Sequence, residues 1–157
     1  SGLLIIDGAL IRDVTDKGSG IVFTTTDGVG IVRRQDFRAA GVIHAVQSGP
    51  LLVDPGGKLG IYKEDFDRQS RSAICLVGDA VRIVMVEGGL SLLELARVLS
   101  SPRDAGGLAC EVALNLDGGP STQAVVQAGG RETALVGRWR IQNALVISRR
   151  ERLADRP

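Results

Sequence analysis

Aromatic side chains are scarce in this sequence. Phe23, Phe37, Phe66, Tyr62 and Trp139 make up only 3% of the chain. Such scarcity argues against a broad aromatic platform for sugars or bases and makes the core aliphatic. Histidine occurs once, at His44, and cysteine twice, at Cys75 and Cys110, without a CxxC pair. That set is too poor for a zinc site. No apolar run approaches the ~18 residues of a membrane helix, so no membrane span is expected. Neither charge sign dominates: 19 basic residues face 18 acidic ones, with a net charge of +1. A nucleic-acid partner would call for a stronger basic bias. The late arginines Arg149, Arg150, Arg152 and Arg156 read as a solvated tail. The chain opens at Ser1 rather than Met, so the lack of a signal peptide says nothing about compartment.

What the chain has in excess is glycine, 21 of 157 residues, about twice the usual share of ~7%. Many tight turns and left-handed backbone positions are expected, joining short strands. The 157 residues suit one domain, residues 1–157, large enough for a core. LLIIDGALI (3–11) places Asp7-Gly8 between apolar runs, a strong hairpin signal, and Asp27-Gly28 repeats it. DFRAAG reads as one helical turn capped by Asp36 and stopped by Gly41. VIHAVQSGPLLV (42–53) reads as a strand bent at Ser48-Gly49-Pro50, because Pro50 cannot donate to a ladder. RSAICLVGDAVRIVMVEGG (71–89) reads as a hairpin around Gly78-Asp79. SLLELARVLSSP is the clearest helix, with a Ser91/Glu94 capping box and Pro102 as its stop. RDAGGLAC suggests a second short helix. STQAVVQA and RWRIQNALVI read as late strands across Gly129-Gly130. The expected class is α+β: a mixed, mainly β-sheet domain with one strong helix and one or two short ones.

The chemistry concentrates in ALNLDGGPSTQ (113–123). A strand with buried Leu114 and Leu116 delivers Asn115 and Asp117 to one face at its end. Gly118 and Gly119 allow a sharp turn whose N–H groups could form an anion-binding nest, and Ser121 and Thr122 add hydroxyls. Spacing alone equally describes an Asx turn in which Asp117 satisfies its own backbone.

ALNLDGGPST resembles the signature of the phosphodiester glycosidase family. QSGPLLV (47–53), RSAICL from Arg71, VMVEGG with Glu87-Gly88, SLLELARVL and RIQNALVI are similar to further family segments in the same order. The resemblance covers residues 47–147. It implies hydrolysis of a sugar-1-phosphodiester in a phosphate-linked glycan, releasing the sugar and leaving a phosphomonoester. The substrate would be the partner, and the location secreted, periplasmic or in the cell envelope.

In that chemistry a guanidinium suits the phosphate, and Arg71 is the candidate. Two carboxyl groups commonly serve glycosidic cleavage. Asp117 is the first candidate and Glu87 the second, although Glu87 reads equally as a helix N-terminal charge. A phosphate leaving group is already acidic, so the acid role is dispensable. The turn, Arg71 and Asn115 would then stabilise developing charge. Ser48 and Gly49 could approach the ligand backbone-first.

Glu94 reads as a capping residue and His44 as structural; Trp139 reads as a core residue, with stacking on a sugar as the alternative. The cysteine flanks read as buried, and two free thiols are the simpler expectation. A disulfide would need an oxidising compartment and Cα atoms within roughly 7 Å. No cofactor is expected. A divalent metal at Asp117 and Asn115 would have only two oxygen ligands.

Pro120 stands where the family usually has glycine, Gln123 replaces a small hydroxyl residue and Glu87 replaces the commoner Asp. The family's N-terminal Asn-Gly-x-Phe-like segment has no counterpart, which suggests an N-terminally truncated domain. A second chain completing the sheet, or an oligomer, is therefore expected. A non-catalytic glycan-binding or structural domain of the same fold is the competing reading.

Overall fold

A computed structural model describes residues 2–63 and 65–148; the arginine tail lies outside them. Five strands form a first sheet: β1 (Leu4–Ile6), β2 (Ala9–Arg12), β3 (Gly20–Thr25), β4 (Gly28–Arg33) and β5 (His44–Ser48). Their order is β2-β1-β5-β3-β4. The β1–β2 connection is the expected Asp7-Gly8 turn. Both residues have positive φ, 49° and 76°, as a tight two-residue hairpin turn requires. The β3–β4 ladder closes at Thr25 and Gly28, so Thr26 and Asp27 are its loop.

A second sheet holds β6 (Leu51–Asp54), β7 (Lys58–Leu59), β8 (Gln69–Val77), β9 (Ala80–Leu90) and β10 (Val112–Asn115). Its order is β7-β6-β10-β8-β9, with every neighbour antiparallel. β8 and β9 turn at Gly78-Asp79, as the sequence signals. The segment 42–53 is not one bent strand. β5 belongs to the first sheet and β6 to the second, and the chain changes sheet at the cis Gly49–Pro50 bond.

The sheets meet face to face. Val22 and Ile31 of the first pack on Leu51, Ile74, Val112 and Leu114 of the second. A Cβ on Gly20 would lie 2.6 Å from Leu114 Cδ1, so β3 approaches β10 this closely only as glycine. An Arg33–Asp54 ion pair, 2.9 Å, also bridges the sheets.

The opposite face of the second sheet is covered by the helix α1 (Leu92–Ser100). Leu93, Ala96 and Leu99, spaced by three, share its buried side with Leu95. Leu95, Ala96 and Leu99 pack on Leu52, Val53, Ala73, Cys75 and Ala113. Each fully buried leucine contributes about 1.5–3 kcal/mol.

The capping box is present. Ser91 Oγ accepts from the Glu94 N–H at 3.1 Å, and the Ser91 N–H donates to Glu94 Oε2 at 2.8 Å. That backbone bond, helped by Arg68, holds the Glu94 carboxyl below its ordinary value of 4.5. The cap is therefore intact at higher pH and weakens as pH falls through the lowered value. Ser91→Ala is expected to cost about 1 kcal/mol in urea unfolding near neutral pH. The acid-sensitive half of the cap is tested by Glu94→Ala, which removes the titrating acceptor of the Ser91 N–H: its cost should shrink in acid, and an equal loss at both pH values would contradict this account of the cap.

Several expectations fail. Arg34–Asp36 forms a 3-10 turn, so Asp36 ends a turn rather than capping one. The short second helix is also 3-10, Arg103–Ala105. Cys75 and Cys110 are not free thiols but a disulfide, with Cα atoms 5.8 Å apart. Both flanks lie in the same core layer, which brings the sulfurs together across 35 residues of chain. Residues 140–147 form no strand. The partner of β11 (Ala124–Ala128) is instead β12 (Arg131–Leu135), turning at Gly129-Gly130. Trp139 is not in the core but 65% exposed. His44 has the structural use expected of it, its Nδ1 accepting the Asp7 N–H at 3.3 Å. The architecture is mainly β with one α-helix. Among the described residues no helix is long and apolar enough to cross a membrane.

Candidate functional site

β10 is central in its sheet, and all four of its residues are buried. Leu114 faces the first sheet, whereas Ala113 faces α1. Strand alternation puts Asn115 on the Ala113 side. Asn115 holds the sheet crossover in place. Its N–H donates to Pro50 O at 3.0 Å, and its Nδ2 donates to Gly49 O at 3.1 Å and Leu116 O at 2.7 Å. Ser48 Oγ donates to Asn115 O at 2.8 Å. Asn115 Oδ1 is the one buried side-chain polar atom without a partner among the described residues. An unpaired buried acceptor is costly, and a water or hydroxyl donor would satisfy it.

The chain then leaves the sheet. The Leu116 N–H donates to Ser72 O at 2.8 Å. Asp117 is exposed, and its Oδ1 accepts the Gly118 N–H at 3.0 Å. Gly119–Ser121 is a 3-10 turn, with Gly119 at φ 58°. That positive φ favours glycine here; a Cβ would also lie 3.0 Å from the end of the exposed Gln69 side chain, which can shift to make room. The Ser121 and Thr122 N–H groups bond Gly118 O and Gly119 O. Three N–H groups are thus satisfied inside the turn, and Pro120 has none. In this state the turn is the self-satisfied form, not an open anion nest. Thr122 is buried, with its hydroxyl 3.3 Å from Ser72 Oγ, while Ser121 is half-buried.

Arg71 lies beside this turn. A Cβ on Gly118 would sit 3.7 Å from Arg71 Cδ. The arginine is buried rather than a surface cation. Its Nε donates to Leu90 O at 2.9 Å and its Nη2 to Asp67 O. It therefore ties Asp67 to the end of β9. Glu87 does not end its strand. β9 continues to Leu90, and residues 87–89 bulge opposite the single Ser70. Glu87 is exposed there, and β8 separates β9 from β10. That is two strand spacings, roughly 10 Å. Glu94 acts in the cap and pairs with Arg68.

Ser48, Gly49, Arg71, Asn115, Asp117, Gly118, Gly119, Ser121 and Thr122 thus gather at one end of the second sheet, with Glu87 further out. Sequence reasoning missed Gln47. Its buried side chain bonds the Thr15, Lys17 and Gly18 carbonyls and the Leu3 and Thr15 N–H groups. These bonds fix the 15–18 loop behind Ser48. No local pattern signals bonds that span about 30 residues. Among the described residues no group of three or more His, Cys, Asp or Glu could hold a metal.

Comparisons with known proteins bear on this site. No curated protein matches the chain. Among solved structures, the chain is similar to the catalytic domain of zebrafish N-acetylglucosamine-1-phosphodiester alpha-N-acetylglucosaminidase, auto-inhibited by its pro-peptide. The identity is 20% and the TM-score 0.60, over 78% of this chain and 47% of that one. The likeness at that identity is one of fold, and the chain spans about half of that structure's length. The phosphodiester glycosidase family model matches residues 1–148, extending the likeness to the first sheet as well. With nearly the whole sequence matched and the signature turn at the end of β10, the chain belongs to the phosphodiester glycosidase family.

Proposed function

We propose that the chain hydrolyses a sugar-1-phosphodiester in a phosphate-linked glycan. Water adds at the anomeric carbon, the bond from that carbon to the phosphate oxygen breaks, and the sugar and a phosphomonoester are released. The observation that carries this reading is the gathering of the family's separate segments around one exposed carboxylate, Asp117. Asp117 either attacks the anomeric carbon or activates the water. The phosphate is an acidic leaving group, so the reaction proceeds without a second carboxyl group, and Glu87 is dispensable. Arg71 holds a fixed positive charge beneath Gly118, and Asn115 keeps Ser48 and Gly49 against the turn.

We place the protein in a secreted, periplasmic or cell-envelope setting, because a core disulfide persists in oxidising compartments. The test is release of reducing sugar from methyl glucose-1-phosphate and its N-acetylglucosamine counterpart. Turnover is expected on at least one. Binding without turnover would instead favour a glycan-binding domain, and neither would sink the reading.

A further inference from the structure

Trp139 is the only tryptophan of the chain, and aromatics are few. An amphipathic ring of that size is normally largely covered, yet Trp139 is 65% exposed. Its backbone, however, is fixed to the candidate turn. The Arg138 and Trp139 N–H groups both donate to Pro120 O, at 2.8 and 3.2 Å. Gln123 Nε2 donates to Trp139 O at 3.1 Å. Gly137 packs so tightly that a Cβ there would lie 2.9 Å from Pro120 O. The backbone that carries this exposed indole is thus tied to Pro120 and Gln123, at the end of the Asp117-Gly118-Gly119-Pro120 turn, while the ring itself stays uncovered. Tyr62 and Phe66 are exposed too, but neither bonds to this turn.

The residues on either side are Arg138 and Arg140, both exposed. Among the described residues neither forms an ion pair. Arg71, by contrast, is buried with its donors turned to Leu90 and Asp67 carbonyls. Arg138 and Arg140 are thus exposed cations without an ion pair among the described residues, in a segment whose backbone is tied to Pro120.

We propose that Arg138, Trp139 and Arg140 form a ligand-binding segment for a phosphorylated glycan. The indole takes the apolar face of a sugar ring, and the guanidinium groups take the phosphodiester. An aromatic face covers ring C–H groups without competing for hydroxyls, and guanidinium matches phosphate geometry. The segment is a binding element, not a catalytic one, and it rests on the reading of the chain as a sugar-phosphodiester protein.

Intrinsic fluorescence tests this directly, because all tryptophan emission comes from one ring. The full chain carrying Asp117→Asn, which is expected to bind without turnover, is titrated with methyl glucose-1-phosphate and, separately, with methyl glucoside, while calorimetry measures binding independently. Saturable emission change and protection from acrylamide quenching are expected. Trp139→Ala should weaken binding about three- to tenfold, and Trp139→Phe should largely restore it. Arg138→Ala with Arg140→Ala should weaken the phosphodiester by about tenfold and the plain glucoside far less. Calorimetric binding with unchanged emission, and with Trp139→Ala binding like wild type, would overturn the segment but leave the proposed hydrolysis standing. Absence of binding and of hydrolysis would overturn both.

Discussion

Replacing Asp117 by Asn is expected to abolish sugar release. The rate should fall by about 10²–10⁴-fold if the carboxylate handles the proton, and further if it is the nucleophile. The fold should survive. Asp117 is exposed, and among the described residues its side chain accepts only the Gly118 N–H. An asparagine oxygen can accept that bond equally well, so the turn keeps its shape. Affinity for methyl glucose-1-phosphate should change by less than about threefold, separating chemistry from binding. Asp117→Ala would mix both effects, since it also removes the turn's own cap. A variant Asp117→Asn that turns over like wild type would remove the carboxylate from the mechanism.

The second large effect is on stability. Cys75 and Cys110 close a long loop, 35 residues apart in sequence. Chain-entropy reasoning gives such a crosslink about 4 kcal/mol. A Cys75→Ala/Cys110→Ala double variant should lose stability of that order in urea unfolding, as should wild type unfolded with reductant. The bond also bears on the site. Cys110 stands two residues before β10, and its N–H donates to Leu99 O at 2.8 Å. The disulfide therefore anchors the start of the strand that ends at Asn115 and Asp117. Both thiols reacting in protein denatured without reductant, after isolation under oxidising conditions, would show that the bond is absent.

Local signals in the sequence carried far. Asp7-Gly8 and Gly78-Asp79 announce their hairpins because positive-φ turn residues between apolar runs leave few alternatives. Ser91 and Glu94 announce α1 because the capping box acts over three residues. The signature turn also stood out, since an apolar strand running into Asp-Gly-Gly is a local pattern.

What stayed hidden depends on distant partners. Nothing within residues 42–53 says that β5 and β6 pair in different sheets; that choice is made by β3 and β10. Cys75 and Cys110 read as core residues, but only the stacking of β8 against the segment before β10 puts their sulfurs together. Residues 140–147 are apolar enough to resemble a strand, yet β11 pairs with the polar Arg131–Leu135 across the nearest glycine turn. The Leu90 and Asp67 carbonyls that meet the Arg71 guanidinium are likewise not displayed by the sequence.

The most direct test of the account is a crystal structure of the Asp117→Asn chain with methyl glucose-1-phosphate bound. The account predicts the anomeric carbon beside the side chain at position 117 and the phosphate over the Gly118–Gly119 turn. Ligand seated elsewhere, such as the cleft lined by Gly56, Gly57, Ser100, Pro102 and Glu111, would contradict it.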